Sequence, residues 1–170
     1  MSSAIEAEWE SLTPVRVGGL PEHVATPDRH VSVLHDDDML LRVELYSYGS
    51  DCFAFESTLI WRGNLAVGFG SHVHLVSLSD RSVTTLALGS YFGHLYLTEE
   101  YLLVASGERV FRIDPNRQVL WTSEVLGIDG VLLSDVGPPI IRGEGEWDPP
   151  GGWAPFQLLA ESGRRTQLNG

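Results

Sequence analysis

Two stretches of the chain, LAVGFGSHVHLVSLSDRSV (65–83) and LLVASGERVFRIDPNRQV (102–119), can be laid over each other at a spacing of about 37 residues. In each stretch a short apolar run is followed by a Gly-Ser or Ser-Gly turn and a second apolar run. Self-similarity at a period of about 20–50 residues is typical of propellers and solenoids. The aligned pairs are Val67 with Val104, Gly70 with Gly107, Val73 with Val110, and Val76 with Ile113.

The apolar runs in the middle of the chain are rich in Val, Leu, Ile and aromatic residues, and they are too brief to form helices. The segments between them, such as SDRS, DPNRQ and GIDG, contain residues that turns favour. This alternation predicts antiparallel β-structure. The predicted strands are 65–69, 72–78, 83–88, 101–105, 109–113 and 119–123, preceded by 29–34, 39–48 and 51–57 at less regular spacing.

A third, looser copy follows, in which Phe156 and Leu158 take the places of Phe111 and Ile113. We therefore predict an all-β protein, a small propeller-like array of antiparallel four-stranded sheets with about three recognisable repeats and an irregular N-terminal sheet. Each repeat is expected to have an outer lead strand, two central strands joined by a tight turn, and a closing strand. The predicted single domain covers 1–170, with an irregular part at 1–56 and repeats at about 57–89, 94–125 and 126–168.

The length of the chain leaves three arrangements of these sheets open. Four blades of about 40 residues are the lower limit for a closed propeller. The sheets could form such a ring, an open array of about three sheets with an N-terminal cover, or a dimer in which two arrays close one ring. We favour the first two. The protein is thus expected to be a monomer or a dimer.

The central unit, YLLVASGERVFRIDPNRQVLW (101–121), resembles a blade of the propellers built from pyrroloquinoline-quinone-type repeats. The resemblance implies that Trp121 packs between neighbouring blades, whereas Arg117 departs from the pattern by standing where Gly is usual. No cofactor-binding residue of those enzymes can be matched, so the resemblance implies a fold and no cofactor. The matching positions are Val110, Phe111, Ile113, Asp114 and Trp121.

A second resemblance covers residues 57–165 and connects them to bacterial proteins that carry the string GEWDPPGGW. It implies an independent domain, and it implies no activity.

The charge of the chain restricts its partners. There are 23 acidic residues against 11 basic ones, all of them arginine, for a formal net charge of −12. A phosphate-backbone binder would need the opposite sign, so we expect no nucleic acid partner, although a basic protein would be attracted. No apolar run is long enough for a membrane span. The single cysteine, Cys52, fits a reducing compartment, and we expect a cytoplasmic location.

In the third repeat the connection between the central strands grows by about eight residues, and the surplus is GEGEWDPPGG (143–152). Long loops on rigid scaffolds are where binding residues concentrate. Glu144, Glu146 and Asp148 stand two residues apart, so on a continued strand their carboxylates would share one face. Together with Trp147 and Trp153 they are the predicted partner-binding residues, because Trp with a rim of acids suits an interface anchor.

A purely structural interpretation of the same stretch is also open. Pro149, Pro150, Gly151 and Gly152 could form a long turn, with Trp147 and Trp153 packed against each other across the hairpin.

Histidines offer a weaker metal hypothesis. His72 and His74 are two apart on a predicted strand, so they would face the same side, and His94 is a third candidate ligand. The expected Glu of a cupin-type site is absent, so we predict no metal. His94 belongs to GSYFGHLY (89–96), where aromatic residues cluster around two glycines; this segment predicts either a packing corner between repeats or a stacking platform for a flat ligand.

Two functional classes remain. The first is a non-enzymatic protein-interaction module that binds a basic protein, as immunity or antitoxin proteins that neutralise basic nucleases do. The second is a small-ligand or metal-binding protein, or an enzyme, with a pocket near the histidines and the acidic residues. The sequence contains no Gly-x-Ser-x-Gly elbow and no phosphate-binding loop, so the first class is favoured and no catalytic residue is assigned.

Overall fold

The computed structural model describes residues 12–19, 26–49, 55–149 and 151–167, and within these ranges the chain is all β, without a helix. Cys52 and most of the predicted strand 51–57 lie outside them. In the described part of the chain, nothing helical is long and apolar enough to span a bilayer. The strands are β1 (Val15–Gly18), β2 (Arg29–His35), β3 (Asp38–Tyr46), β4 (Ser57–Trp61), β5 (Asn64–Phe69), β6 (His72–Ser77), β7 (Val83–Ala87), β8 (Phe92–Leu97), β9 (Leu102–Ser106), β10 (Val110–Ile113), β11 (Val119–Thr122), β12 (Val131–Asp135), β13 (Ile140–Glu146) and β14 (Trp153–Leu159).

The strands form four separate sheets, which confirms the predicted array. Sheet I has the order β1-β3-β2, sheet II β4-β5-β6-β7, sheet III β8-β9-β10-β11 and sheet IV β12-β13-β14. Sheets II and III are four-stranded and antiparallel throughout. Sheet I is irregular, as expected, because β1 joins β3 in parallel.

The spacing of about 37 residues holds in the strand register. In sheet II Val67 pairs with His74, and in sheet III Val104 pairs with Phe111. Both members of each pair are 37 positions from their counterparts, so the two central hairpins are built in the same way. His74 therefore occupies the place of a core aromatic residue, and only 1% of it is exposed.

Three hydrophobic clusters hold consecutive sheets face to face, between I and II, II and III, and III and IV. Along β5, Leu65, Val67 and Phe69 pack toward sheet I, whereas Ala66 packs toward sheet III. Alternate residues point to opposite faces of a strand, so a strand buried on both faces must be apolar at every position. This explains why the central strands of sheets II and III are continuous apolar runs.

The sheets approach one another at their lead strands. Contacts between sheets join β8 to β4 and β5, and β12 to β8 and β9. Two hydrogen bonds span this region: Arg62 donates to the Glu99 carbonyl, at 2.6 Å from Nη2, and the Leu133 amide donates to the Tyr96 hydroxyl at 3.0 Å. In each bond the two residues are 37 positions apart, so each residue is bonded to its own counterpart in the next repeat.

Sheet IV differs from the other repeats in its last strand and in its outer face. Up to residue 167, where the described part of the chain ends, the place of a fourth strand is taken by a single bridge between Leu158 and Arg165. Backbone bonds from the Leu159 amide to the Arg164 carbonyl and from the Thr166 amide to the Gln157 carbonyl flank it. The outer face of β13 carries exposed residues such as Glu144, while its inner face packs on sheet III. In the described part of the chain, none of the three hydrophobic clusters lies on this outer face.

The resemblance to quinone-type propeller repeats implies that Trp121 packs between neighbouring blades, and Arg117 stands where those repeats usually have glycine. Trp121 packs between sheets III and IV, where its indole N–H donates to the Ala160 carbonyl at 3.0 Å. Arg117 adopts a φ of 67°, in the left-handed region that favours glycine. Its guanidinium also donates to the Ser82 carbonyl of sheet II at 2.8 Å, which a glycine could not do.

Candidate functional site

The enlarged connection of the third repeat is an extended hairpin. Strand β13 continues through Glu146, which pairs with Trp153 on β14. The remaining loop, 147–152, is closed by a bond from the Trp147 amide to the Gly152 carbonyl at 2.9 Å. Because the strand takes up the first four residues of the predicted surplus 143–152, the loop itself is shorter than expected. We call residues 144–153 the acidic hairpin.

The glycines that alternate with acids in GEGE follow from close packing on the inner face of β13, against the neighbouring strand β12 and the segment that precedes it. A Cβ at Gly145 would lie 1.8 Å from the Leu126 carbonyl oxygen, and one at Gly143 would lie 2.3 Å from the Leu132 carbonyl oxygen. Only glycine fits on this inner face. The glutamates between the glycines therefore point to the outer face.

The three carboxylates of the acidic hairpin have different surroundings. Glu144 and Glu146 share the outer face of β13, but Asp148 lies beyond the end of the strand, in the loop. Glu144 and Asp148 are exposed, whereas Glu146 is partly buried and accepts a bond from the Gly151 amide at 2.6 Å through Oε1. Glu146 thus shapes the loop as well as carrying charge.

The two tryptophans do not stand opposite each other in the register. Trp153 pairs with Glu146, whereas Trp147 is bonded across the loop to Gly152. Trp147 follows the last residue of β13, so it belongs to the loop and has no strand partner in the register. The two side chains are 40% and 38% exposed, respectively. The predicted aromatic couple across the hairpin is therefore not supported by this register.

Trp153 reaches a cleft where three repeats meet. Its Cη2 lies 2.9 Å from the position that a Cβ of Gly130 would take, so the indole crosses the face of sheet IV. The cleft has a volume of about 290 Å³ and opens where the lead strands β4, β8 and β12 begin. Its lining includes Phe55, Tyr91, His94, Gly130, Leu132, Glu146 and Trp153.

A β-bulge at Gly93 directs His94 into this cleft. The pairing of β8 with β9 shifts between Phe92 and His94, so these two residues do not share a face. Phe92 packs in the cluster between sheets II and III. Tyr96, which shares a face with His94, packs against the cluster between sheets III and IV. Without the bulge, His94 would point toward sheet II.

Neighbouring contacts fix the aromatic wall of the cleft. The Tyr91 hydroxyl donates to the Asp129 carbonyl, and its ring lies where a Cβ of Gly107 would come within 2.7 Å. The ring of Phe55 lies 4.9 Å from that of His94 and 6.2 Å from that of Tyr91. Phe92 is therefore part of a packing corner between sheets, whereas Tyr91 and His94 line a cleft, and a stacking platform for a flat ligand stays a prediction.

The other two candidate histidines lie side by side on β6. The rings of His72 and His74 are stacked at 6.1 Å, and His72 also stacks on Tyr48 at 4.1 Å. His74 Nδ1 is hydrogen-bonded to the hydroxyl of Thr85, an exposed residue of β7, at 2.9 Å. His94 belongs to the next sheet. Among the described residues, no group of three or more His, Cys, Asp or Glu is arranged to hold a metal ion.

Sequence reasoning missed Phe55, Gly130 and Leu132 as members of the cleft. Phe55 lies just before β4, and Gly130 just before β12, so both stand near the start of a lead strand, as Tyr91 does before β8. At the spacing of 37 residues, Gly130 and Leu132 are the counterparts of Gly93 and Leu95 in GSYFGHLY, so an alignment extended back to this segment would have pointed to both. A comparison with protein-family models found no match for the chain, and no curated protein is significantly similar to it.

Proposed function

We propose that the protein is a non-enzymatic interaction module that binds a basic protein through the acidic hairpin. The observation that carries this proposal is the exposure of Trp147 beside the exposed carboxylates Glu144 and Asp148. Amphipathic aromatic side chains are the commonest anchors of protein interfaces. A rim of acids selects a partner of opposite charge.

The charge of the hairpin is not balanced from within. Residues 144–153 contain three acids and no arginine. The nearest basic residue along the strand, Arg142, is engaged with Asp135 at 2.8 Å. Since the whole chain carries −12, the hairpin extends a negative field that would attract and orient a basic partner.

The outer face of sheet IV supports the same proposal. Leu132, Trp153 and Leu159 are each about 40% exposed on this sheet, and the register places them on its outer face. Apolar residues grouped on an open sheet face mark interaction surfaces. A partner that binds the acidic hairpin would also cover the outer face of sheet IV.

The class of partner follows from charge and size. Small acidic proteins can neutralise basic enzymes such as nucleases by covering their positively charged substrate sites. We propose an immunity- or antitoxin-like role of this kind, in the cytoplasm of a bacterium, with the protein acting as a monomer or a dimer.

A second candidate, a small-ligand binder, is favoured by one observation. The cleft brings His94, Glu146 and Trp153 together, although they are distant in sequence. Its volume of about 290 Å³ is at the lower limit of ordinary ligand pockets, which hold about 300–1,000 Å³. This suits a fragment or a single side chain better than a complete substrate.

The proposal can be tested with the full-length protein immobilised at low salt and exposed to a lysate of the native host. A captured protein is identified and purified, and its affinity is measured by calorimetry for the wild type and for Trp147→Ala, Asp148→Asn and Glu161→Gln. We expect a basic partner whose affinity falls at least about tenfold with Trp147→Ala, as for an interface anchor.

Glu161→Gln is the matched control, because Glu161 is an exposed acid in the turn after β14. It should change the affinity less than Asp148→Asn does. An acidic partner, or a basic partner that binds Trp147→Ala as tightly as the wild type, would contradict the proposal. Self-association, measured by light scattering, would identify a second copy of the chain as the occupant instead.

A further inference from the structure

The cleft beside the acidic hairpin has a wall of aromatic faces. Phe55, Tyr91 and Trp153 line it, together with the imidazole of His94. These side chains come from sheet IV and from the starts of two lead strands, and the ring contacts of Phe55 with His94 and Tyr91 make part of the wall continuous. Aromatic faces carry partial negative charge and attract cations within about 6 Å of the ring centre.

A carboxylate completes the cleft. Within the described residues, the hydrogen bond of Glu146 is made through Oε1, to the Gly151 amide. Oε2 lies 3.6 Å from the position that a Cβ of Gly130 would take, and Gly130 is part of the lining. No arginine is among the residues that line the cleft. The negative charge of Glu146 therefore has no counter-ion in the cleft itself.

We propose that this cleft binds an arginine side chain of the basic partner, an inference that rests on the proposed function. The guanidinium would stack on the aromatic wall and donate to Glu146 Oε2. Arginine suits this site better than lysine, because its planar, weakly hydrated head stacks on rings and loses less on leaving water. The volume of about 290 Å³ fits one long side chain.

Gly130 keeps the cleft open for such a side chain. A Cβ at this position would come within 2.9 Å of Trp153 and near Glu146 Oε2, so any larger residue would displace the indole and narrow the site. The position is therefore suited to glycine for reasons of space. The cleft and the acidic hairpin are also continuous, because Glu146 and Trp153 belong to both.

The probe is an acetylated and amidated Gly-Arg-Gly peptide, added to ¹⁵N-labelled full-length protein. We expect the amide resonances of Gly93, His94, Gly130 and Leu132 to shift, with a dissociation constant of about 1 mM, typical of a single weak contact. The peptide with citrulline in place of arginine has the same shape without the charge. It should bind about tenfold more weakly, and the lysine peptide should also bind more weakly than the arginine peptide.

Two variants locate the binding site, and one serves as a control. Glu146→Gln keeps an acceptor for the Gly151 amide but removes the charge, and Trp153→Phe keeps an aromatic ring; each should weaken arginine-peptide binding at least about fivefold. Glu161→Gln should leave it unchanged. Equal binding of the citrulline or lysine peptide, or shifts that avoid the cleft, would overturn the inference. A correctly folded Glu146→Gln variant that binds the arginine peptide as tightly as the wild type would also overturn the inference.

The arginine-peptide experiment and the partner experiment of the proposed function can fail independently of each other. A basic partner that depends on Trp147, combined with no arginine-peptide binding, would refute the cleft assignment and leave the interaction role standing. Arginine-specific binding in the cleft without any basic protein partner would support the cleft as a cation site and refute the wider role.

Discussion

At the scale of single residues, a buried acid in sheet I shows how this protein holds charge inside. Glu44 is only 4% exposed, and its carboxylate contacts Arg16 at 3.0 Å, Arg42 at 2.5 Å and the Tyr46 hydroxyl at 3.0 Å. Burial alone would raise the pKa of Glu44, but the hydrogen bonds from Tyr46 and Arg16 and the charges of both arginines lower it below its usual value. The ionised form is therefore the one that the fold stabilises.

This lowered pKa predicts a pH dependence of stability. A carboxyl group whose pKa is lower in the folded state contributes stability above its unfolded pKa, here 4.5, and loses it as the pH falls through the folded value. Glu44→Gln should lower the free energy of unfolding by about 1.5 kcal/mol at neutral pH, the scale of a hydrogen bond to a charged group. The difference should shrink at acidic pH, as the pH falls through the lowered pKa of Glu44 in the folded state and the wild-type carboxyl becomes protonated.

Urea unfolding at both pH values measures this effect, with Glu161→Gln as a control on an exposed acid. If Glu44→Gln costs as much at low pH as at neutral pH, the charge of Glu44 is not what stabilises this part of sheet I.

At the scale of the element, strand β13 combines two requirements in one short sequence. Gly143 and Gly145 leave room for the backbone carbonyls of Leu132 and Leu126, and Glu144 and Glu146 present charge on the other face. The alternation of glycine and acid is thus a packing pattern and a surface pattern at once. The same element carries the candidate site, so that the position of the acidic hairpin depends on the two glycines.

The requirement for glycine on the inner face of β13 can be tested with Gly145→Ala. The new Cβ would meet the Leu126 carbonyl oxygen, which belongs to the backbone and cannot move aside without shifting the segment. We expect a loss of about 3 kcal/mol in the free energy of unfolding, at the upper end of the usual range for overpacking. Glu144→Gln, on the exposed face, should cost less than about 0.5 kcal/mol. Chemical unfolding of both variants measures the difference, and equal stabilities would contradict the close packing.

At the scale of the whole molecule, four sheets stand in sequence order and three cores bind each to the next. Such an array has no single hydrophobic core, and its stability depends on the interfaces between neighbouring sheets. Its charge is strongly unbalanced, at −12. Repulsion among carboxylates opposes the compact state and is screened by salt, over about 10 Å at 0.1 M.

The melting temperature should therefore rise with ionic strength. Calorimetry in sodium chloride between about 0.01 M and 0.5 M should show an increase of several degrees, because the repulsion is screened at the higher concentration. Binding of the basic partner should weaken over the same range, since attraction between the two proteins is screened as well. A melting temperature that falls with added sodium chloride would show that attractive ion pairs outweigh the repulsion.

The sequence by itself determined the all-β class, the positions of most strands in sheets II and III, and the spacing of about 37 residues. Strand alternation and turn chemistry are local properties, so they can be read from neighbouring residues. It also located the acidic hairpin, because an insertion stands out against a repeat.

Only the tertiary structure decided that Trp153 and Glu146 meet Phe55, Tyr91 and His94 in one cleft. These residues come from three repeats, and they converge because the lead strands of neighbouring sheets pack together. The direction of His94 depends on the bulge at Gly93, and the pairing of Trp153 with Glu146 depends on the hairpin register. A shift of one residue in either pairing reverses the face of a side chain, and that choice is made by packing between sheets.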